Sequence, residues 1–291
     1  MMTLEMLLPR GLRHHLWQRR TWRNINAGLA SFPSRQAAPR HGLPGELIVS
    51  LTSYPARYPT LPNTLKSLLD QTVRPDRTIL WIAEGHMPAL TPEVLALRDY
   101  GLEILPCDDL KSHKKIIPAL ERFPDAFVVT ADDDIFYWPD WLEGLVAAHD
   151  PAEPAVVCYN AHMIASDDRG QPRRYLDWPY LGTERATAPA KEVFPVGVAG
   201  ILYPPGSLSP LVTDRELMGR LSLKSDDVWL FFMRYINDWA ARQTTKPFVA
   251  IEWPNLGGLP QARFVATGDK DRCIAAMTEH FGIRFGRQRV P

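Results

Sequence analysis

Between residues 47 and 130 short apolar, β-branched runs alternate with segments of helical period, and this alternation constrains the fold more than any other feature of the chain. Leu47–Thr52 (LIVSLT) reads as a strand, and Leu61–Leu69 carries apolar residues at 61, 65, 68 and 69, one face of a helix. A second strand follows at 78–83 (TILWIA), a helical pattern at 92–100, a third strand at 102–105, a helix at 114–123 and a buried strand at 126–130 (AFVVT). Strands and helices at this spacing build βαβ units, hence a mostly parallel sheet with helices on both faces.

The second half is less regular. Strands are expected at 155–159, 196–203 and 248–252, and helices at 226–241 and 269–281, with a polar, Pro-rich stretch over 166–191. Division of the chain into a basic extension, 1–40, and one α/β domain, 41–291, follows from charge. The 291 residues hold 33 basic and 33 acidic side chains, yet residues 1–40 contain seven Arg, no Lys and one acid, Glu5. A neutral body with a basic arm argues against nucleic acid as the partner of the fold and points the arm towards something anionic. Five of those arginines lie over 10–23 with Leu12, Leu16, Trp17 and Trp22, a composition suited to an anionic membrane surface, although Arg19 projects onto the Leu12 face. An arm folded onto the domain or onto a partner fits the same residues.

The longest apolar stretch, 193–202, is broken by Pro and Gly and is shorter than the ~20 residues a membrane span needs. Three well-separated cysteines, Cys107, Cys158 and Cys273, match neither a disulfide framework nor a zinc pattern, which fits a reducing compartment. The N-terminus lacks the apolar core and cleavage site of a secretory signal, so a cytoplasmic location is expected.

Four motifs carry chemistry. Asp132-Asp133-Asp134 follows the apolar run AFVVT directly. Three adjacent carboxylates at the end of a buried strand cost stability unless a cation offsets them, and ligands bind at that end of open α/β sheets. Mg²⁺ or Mn²⁺ suits such a site; the bland reading is a solvated turn capping a helix near Trp141. Upstream, Lys111-Ser112-His113-Lys114-Lys115 is a helix start whose lysines, Lys114 ahead of Lys115, could reach phosphates. Ser225-Asp226-Asp227 opens an apolar helix, where one carboxylate more than a cap requires is free to act as a base, kept ionised by the helix dipole. Thr52-Ser53-Tyr54-Pro55-Ala56-Arg57 ends the first strand with groups able to hold a base and phosphates, or is simply a Pro-directed turn.

In this order, over roughly residues 46–240, the motifs resemble the GT-A glycosyltransferases. FPVGVAGILYPPG and SDDVWL look like the G-x-x-G and E-D-V elements of inverting enzymes, with Asp226 in place of Glu. The segments SLTSYPAR, ADDDIFYWPDWL and DDVWL are similar to those of bacterial family-2-like transferases of surface polysaccharide synthesis. The resemblance implies a GT-A, Rossmann-like α/β fold with a loop-rich acceptor half. It implies donor contacts from Thr52, Ser53, Tyr54, Arg57, Lys114, Asp132 and Asp133, and a metal, Mn²⁺ or Mg²⁺, on Asp132 and Asp134. Gly200 would border the acceptor, Asp227 would be the catalytic base, and Asp226 its acidic neighbour.

The expected reaction moves a sugar from a nucleotide-diphosphate sugar to a hydroxyl of a glycan or lipid-linked glycan, with inversion. Two alternatives stand beside it: a sugar-1-phosphate transferase, which releases a nucleoside monophosphate, and a non-catalytic nucleotide- or carbohydrate-binding protein on the same scaffold. His280 is a further metal-ligand candidate by order alone, and it fits the surface of the last helix equally well.

Overall fold

The computed structural model describes residues 10–35, 37–182, 185–254 and 268–286; residues 1–9 of the extension lie outside these. Seven strands form one sheet in the order β3-β2-β1-β4-β7-β6-β8. They are β1 (Leu47–Thr52), β2 (Arg77–Ala83), β3 (Leu102–Cys107), β4 (Phe127–Ala131), β6 (Ala155–Met163), β7 (Val193–Tyr203) and β8 (Ala240–Gln243). Neighbours in the β3-β2-β1-β4 half are parallel, β7 is antiparallel to both β4 and β6, and β8 is parallel to β6. The mostly parallel sheet read from the alternation is therefore present. β1, β2 and β4 are buried almost throughout, as expected of strands covered on both faces.

Helices α2 (Leu61–Leu69), α3 (Pro92–Leu95) and α4 (Ile117–Arg122) join the parallel strands. The sheet winds outward from β1 to β3, then returns to β4 on the other side of β1. Such a reversal opens a crevice at the carboxyl ends of β1 and β4. A two-stranded ribbon, β5 (Ile135–Phe136) with β9 (Ile251–Glu252), lies beside that crevice, followed in sequence from β5 by α5 (Trp141–Ala147). On the other side, α6 (Arg215–Leu221), α7 (Asp226–Ile236) and α8 (Asp269–His280) pack with β6 and β7 around an aromatic core that includes Phe194, Trp229, Phe231 and Phe232.

Several expected elements change at their ends. The 114–123 segment is a 3₁₀ turn, Lys111–Lys115, followed by the short α4, because Pro118 sits in the first turn of a new helix. The helix expected to reach 241 stops at Ile236; Asp238 takes a positive φ of 63° and the chain turns into β8. The strand expected over 248–252 is only Ile251–Glu252.

The extension forms a 21-residue helix, α1 (Arg10–Ala30). Its C-terminal half is docked: Thr21 and Ile25 are buried, and Ile25, Trp22 and Leu29 pack with Phe136 and Trp253. Beyond it, Asp70 accepts the backbone N–H groups of Ser34 and Arg35 at 2.8 and 2.7 Å and pairs with the Arg35 guanidinium at 2.6 Å. Leu12, Leu16 and Trp17 of the outer half are exposed. Among the described residues no helix is long and apolar enough to cross a membrane.

Candidate active site

The acidic turn leaves β4 at the crevice, and its backbone is held from three sides. The Asp132 N–H donates to the hydroxyl of buried Tyr137 at 2.6 Å. Thr64 Oγ1 donates to the Asp133 carbonyl at 3.1 Å, and the Trp253 N–H to the Asp134 carbonyl at 3.0 Å. The turn does not cap the following helix, since Asp140 stands at the N-cap position of α5.

Each carboxylate of the turn meets a different partner. Lys115 Nζ pairs with Asp132 Oδ1 at 2.8 Å, Ser53 Oγ donates to Asp133 Oδ2 at 2.5 Å, and Arg57 pairs with Asp134 Oδ2 at 3.0 Å. Arg57 also donates from Nε to the Tyr54 hydroxyl at 3.2 Å. Lys115 reaches further, pairing with Asp226 Oδ2 at 2.7 Å. It is placed there because the Ser50 hydroxyl, itself accepting the Trp81 indole N–H, donates to the Lys115 carbonyl at 2.6 Å. His113 Nε2 lies 3.0 Å from the Ser222 carbonyl and ties the same turn to the segment that leads into α7.

The cap of α7 is Ser225, whose hydroxyl accepts the Val228 N–H, so Asp226 and Asp227 are both spare. Asp227 is held at both oxygens. The Gly197 N–H donates to Oδ1 at 3.0 Å, and Lys270 Nζ, from the first turn of α8, lies 3.2 Å from Oδ2.

Of these groups, Ser53, Tyr54, Lys115, Asp132 and Asp133 border a cavity of about 380 Å³ whose walls also include Thr52 and Lys114. The structure thus brings six of the expected donor residues to one cavity, with Arg57 at its side through Asp134. A larger cavity, about 480 Å³, lies among α1, α5 and residues 244–249; its walls are chiefly aromatic and aliphatic, and it lacks the carboxylate–lysine pairs.

Electrostatics separate the carboxylates. Burial, the largest influence, raises the pKa of all three of the turn, with Asp133 at about 7; neighbouring carboxylates add to the rise, Glu252 beside Asp134 among them. Asp226 goes the other way, because Lys115 and the other donors around it outweigh its burial and hold it ionised. Asp227 is raised: burial outweighs Lys270 and the helix dipole that favours its charge.

More negative charge is thus buried at the turn than Lys115 and Arg57 offset. A cation of the Mg²⁺ or Mn²⁺ type takes one or two carboxylates and completes its shell with water and phosphate oxygens. Asp132 and Asp134 match that donor set, and among the described residues no cluster of three or more His, Cys, Asp or Glu forms a closed cage.

One expectation is refined and one corrected. Lys114 lines the cavity but its ammonium is committed to Asp109 at 2.9 Å; Lys115, placed second from sequence, is the lysine at the carboxylates. Gly200 faces the core, not an acceptor: its φ is +87°, and a Cβ there would come within 2.6 Å of the Trp141 indole. The glycine at the acidic centre is Gly197, where a Cβ would sit 2.7 Å from Asp227 Oδ1. His280 is exposed at the end of α8, against Phe281, and Lys270 is the residue of that helix that reaches the site.

Comparison with known proteins gives matches of unequal reach. Glucosyl-3-phosphoglycerate synthase from Mycobacterium tuberculosis, solved with Mn²⁺, UDP and glucosyl-3-phosphoglycerate, is 14% identical with a TM-score of 0.44 over 89% of this chain and 83% of that one. TarS from S. aureus, residues 1–349 with UDP-GlcNAc, is 15% identical with a TM-score of 0.46 over 82% and 73%. The inositol-1-phosphate CTP transferase from T. maritima is 13% identical with a TM-score of 0.41 over 80% and 96%. A glutamate racemase from Brucella anthropi is 32% identical over 104 residues, 32% of this chain and 36% of the racemase, so the chain spans about a third of the length of that curated relative. These likenesses are remote or short. The family model of glycosyl transferase family 2 matches residues 49–201, more than half of the chain, from β1 through the acidic turn to β7, and the protein belongs to that family of glycosyltransferases.

Proposed function

We propose that the protein transfers a sugar from a nucleoside diphosphate sugar to a hydroxyl of a glycan or lipid-linked glycan acceptor, with inversion at the anomeric carbon, in surface polysaccharide synthesis. The observation that carries this reading is the meeting of Asp132 of the acidic turn with Asp226 at Lys115, a residue of the cavity wall whose ammonium also feels the charge of Asp227. Thr52, Ser53, Tyr54 and Lys114 line the space for the nucleotide, and Arg57 stands where it can donate to the diphosphate. Asp132 and Asp134 would hold Mn²⁺ or Mg²⁺, which neutralises the leaving diphosphate when bound.

Asp227 acts as general base. The acceptor oxygen forms a bond to the anomeric carbon while the bond from that carbon to the phosphate oxygen breaks, and the hydroxyl proton passes to Asp227. Burial raises its proton affinity, which suits a base that must take a proton near neutral pH. Asp226, kept ionised by Lys115, maintains negative charge beside the proton as it arrives.

The exposed Leu12, Leu16 and Trp17, together with exposed Arg19, Arg20 and Arg23, support a place of work at the inner, anionic membrane surface, near lipid-linked acceptors.

A panel of UDP-, GDP-, CDP- and dTDP-sugars, incubated with the protein and Mn²⁺ and assayed for the nucleotide released, tests the reaction. Release of a nucleoside diphosphate is expected. A nucleoside monophosphate would instead assign sugar-1-phosphate transfer, and tight donor binding without release would assign a binding protein.

A further inference from the structure

Lys270 lies outside the family-matched segment and opens α8 at a place that ordinary helix energetics disfavour. A cation in the first turn opposes the helix dipole, and this one is also buried, with a side chain only 7% exposed. Its neighbours Asp269 and Asp271 suit that turn; Lys270 does not. Its ammonium sits 4.2 Å from the centre of the Tyr175 ring and 5.1 Å from that of Phe194, with Asp227 Oδ2 at 3.2 Å. As a tether for α8 it is a poor choice, because a buried ion pair is commonly no more stabilising than an apolar pair of the same size. Cys273, Ile274 and Met277 already dock the helix through the aromatic core.

We propose that Lys270 is a positioning residue that fixes the Asp227 carboxylate for proton transfer. The inference rests on the reading of Asp227 as the base. The Gly197 N–H and the Lys270 ammonium take one oxygen each and thereby set the plane of the carboxylate. A carboxylate offers about four lone-pair sites, so each oxygen still has room for an acceptor hydroxyl. The two anchors differ in kind. Gly197 is backbone on a central strand, whereas Lys270 comes from a helix beyond the sheet, so removal of its ammonium frees one edge of the carboxylate and leaves the other anchored. Tyr175, whose ring faces Lys270, is itself held to α8 by its N–H to Asp271 Oδ1 at 2.7 Å.

The test is a double-mutant cycle on nucleotide-sugar hydrolysis with water as acceptor, using whichever donor of the panel the wild type cleaves. Lys270→Met keeps the aliphatic stem between Tyr175 and Phe194 and should lower kcat by roughly 10- to 100-fold with donor KM unchanged, the loss expected when a reacting group is slightly misplaced. In an Asp227→Asn background the same change should cost less than about 2-fold, because Lys270 acts through the carboxylate. Lys270→Arg should recover most of the wild-type rate. A full loss on top of Asp227→Asn, a defect confined to donor KM, or a kcat within 2-fold of wild type overturns the proposal. If Asp227→Asn alone hydrolyses donor normally, the base reading fails instead. Should Lys270→Met not fold, Lys270→Gln completes the cycle, with urea unfolding as the check on integrity.

Discussion

Replacing Lys115 by Met removes the single ammonium that Asp132 and Asp226 share. The two oxygens lie 2.8 and 2.7 Å from Nζ, so they are no more than about 5.5 Å apart, and at an effective dielectric of about 20 two unit charges at that spacing repel by about 3 kcal/mol. Loss of one partner from a buried pair typically costs about 3–5 kcal/mol, the same scale. The pH dependence gives the cause away. In the wild type Asp226 has a depressed pKa, so its contribution is full above the unfolded value and is lost as pH falls. Without Lys115, burial would raise Asp226 as well and push the already raised Asp132 further up, and the variant would lose stability as pH rises instead. Urea unfolding at pH 7 and pH 5 should therefore show a deficit of about 3–5 kcal/mol at pH 7 that shrinks at pH 5. An equal deficit at both values would assign the effect to packing and refute the electrostatic account.

The remaining predictions concern activity and location. Asp134→Asn, or chelation of the native protein, should abolish turnover without unfolding the chain, which circular dichroism and donor-release assays would separate. Gly197→Ala places a Cβ 2.7 Å from Asp227 Oδ1, so kcat should fall by at least about 10-fold with donor KM held; an unchanged kcat would show that the close approach is not needed. Deletion of residues 1–20, which leaves the docked Thr21 and Ile25 in place, should weaken sedimentation with anionic but not neutral liposomes; equal sedimentation of both proteins with anionic vesicles would exclude the membrane role.

The parallel half of the fold was legible because its signals are local. Alternating periods, Gly101 at a left-handed helix end (φ 93°) and a carboxylate triplet after a buried strand each lie within a few residues. The gathering of Thr52–Arg57 and Asp132–Asp134 at one crevice was legible for the same reason, since strand ends and crossovers bring them there. What stayed hidden depends on register and long-range packing. Whether Lys114 or Lys115 turns inward is decided by the 3₁₀ turn and by Ser50, 65 positions away. Gly197 and Gly200 look alike in sequence, and only the β6–β7 register shift and the Trp141 ring tell them apart. Lys270 carried little signal: a single lysine in a polar helix start, 43 positions beyond its partner. One weak cue existed, a lysine between two acids in a first turn, where the dipole disfavours it.

Base-assisted transfer by Asp227 is the central claim, and the configuration of the product reports on it most directly. Proton NMR of the first sugar product formed by wild-type protein, taken before mutarotation or with a glycosylated acceptor, reads the coupling at the anomeric proton. Attack by a hydroxyl that Asp227 deprotonates predicts a configuration opposite to that of the donor. Retention of the donor configuration would contradict the assignment and return Asp227 and its anchors to a structural role.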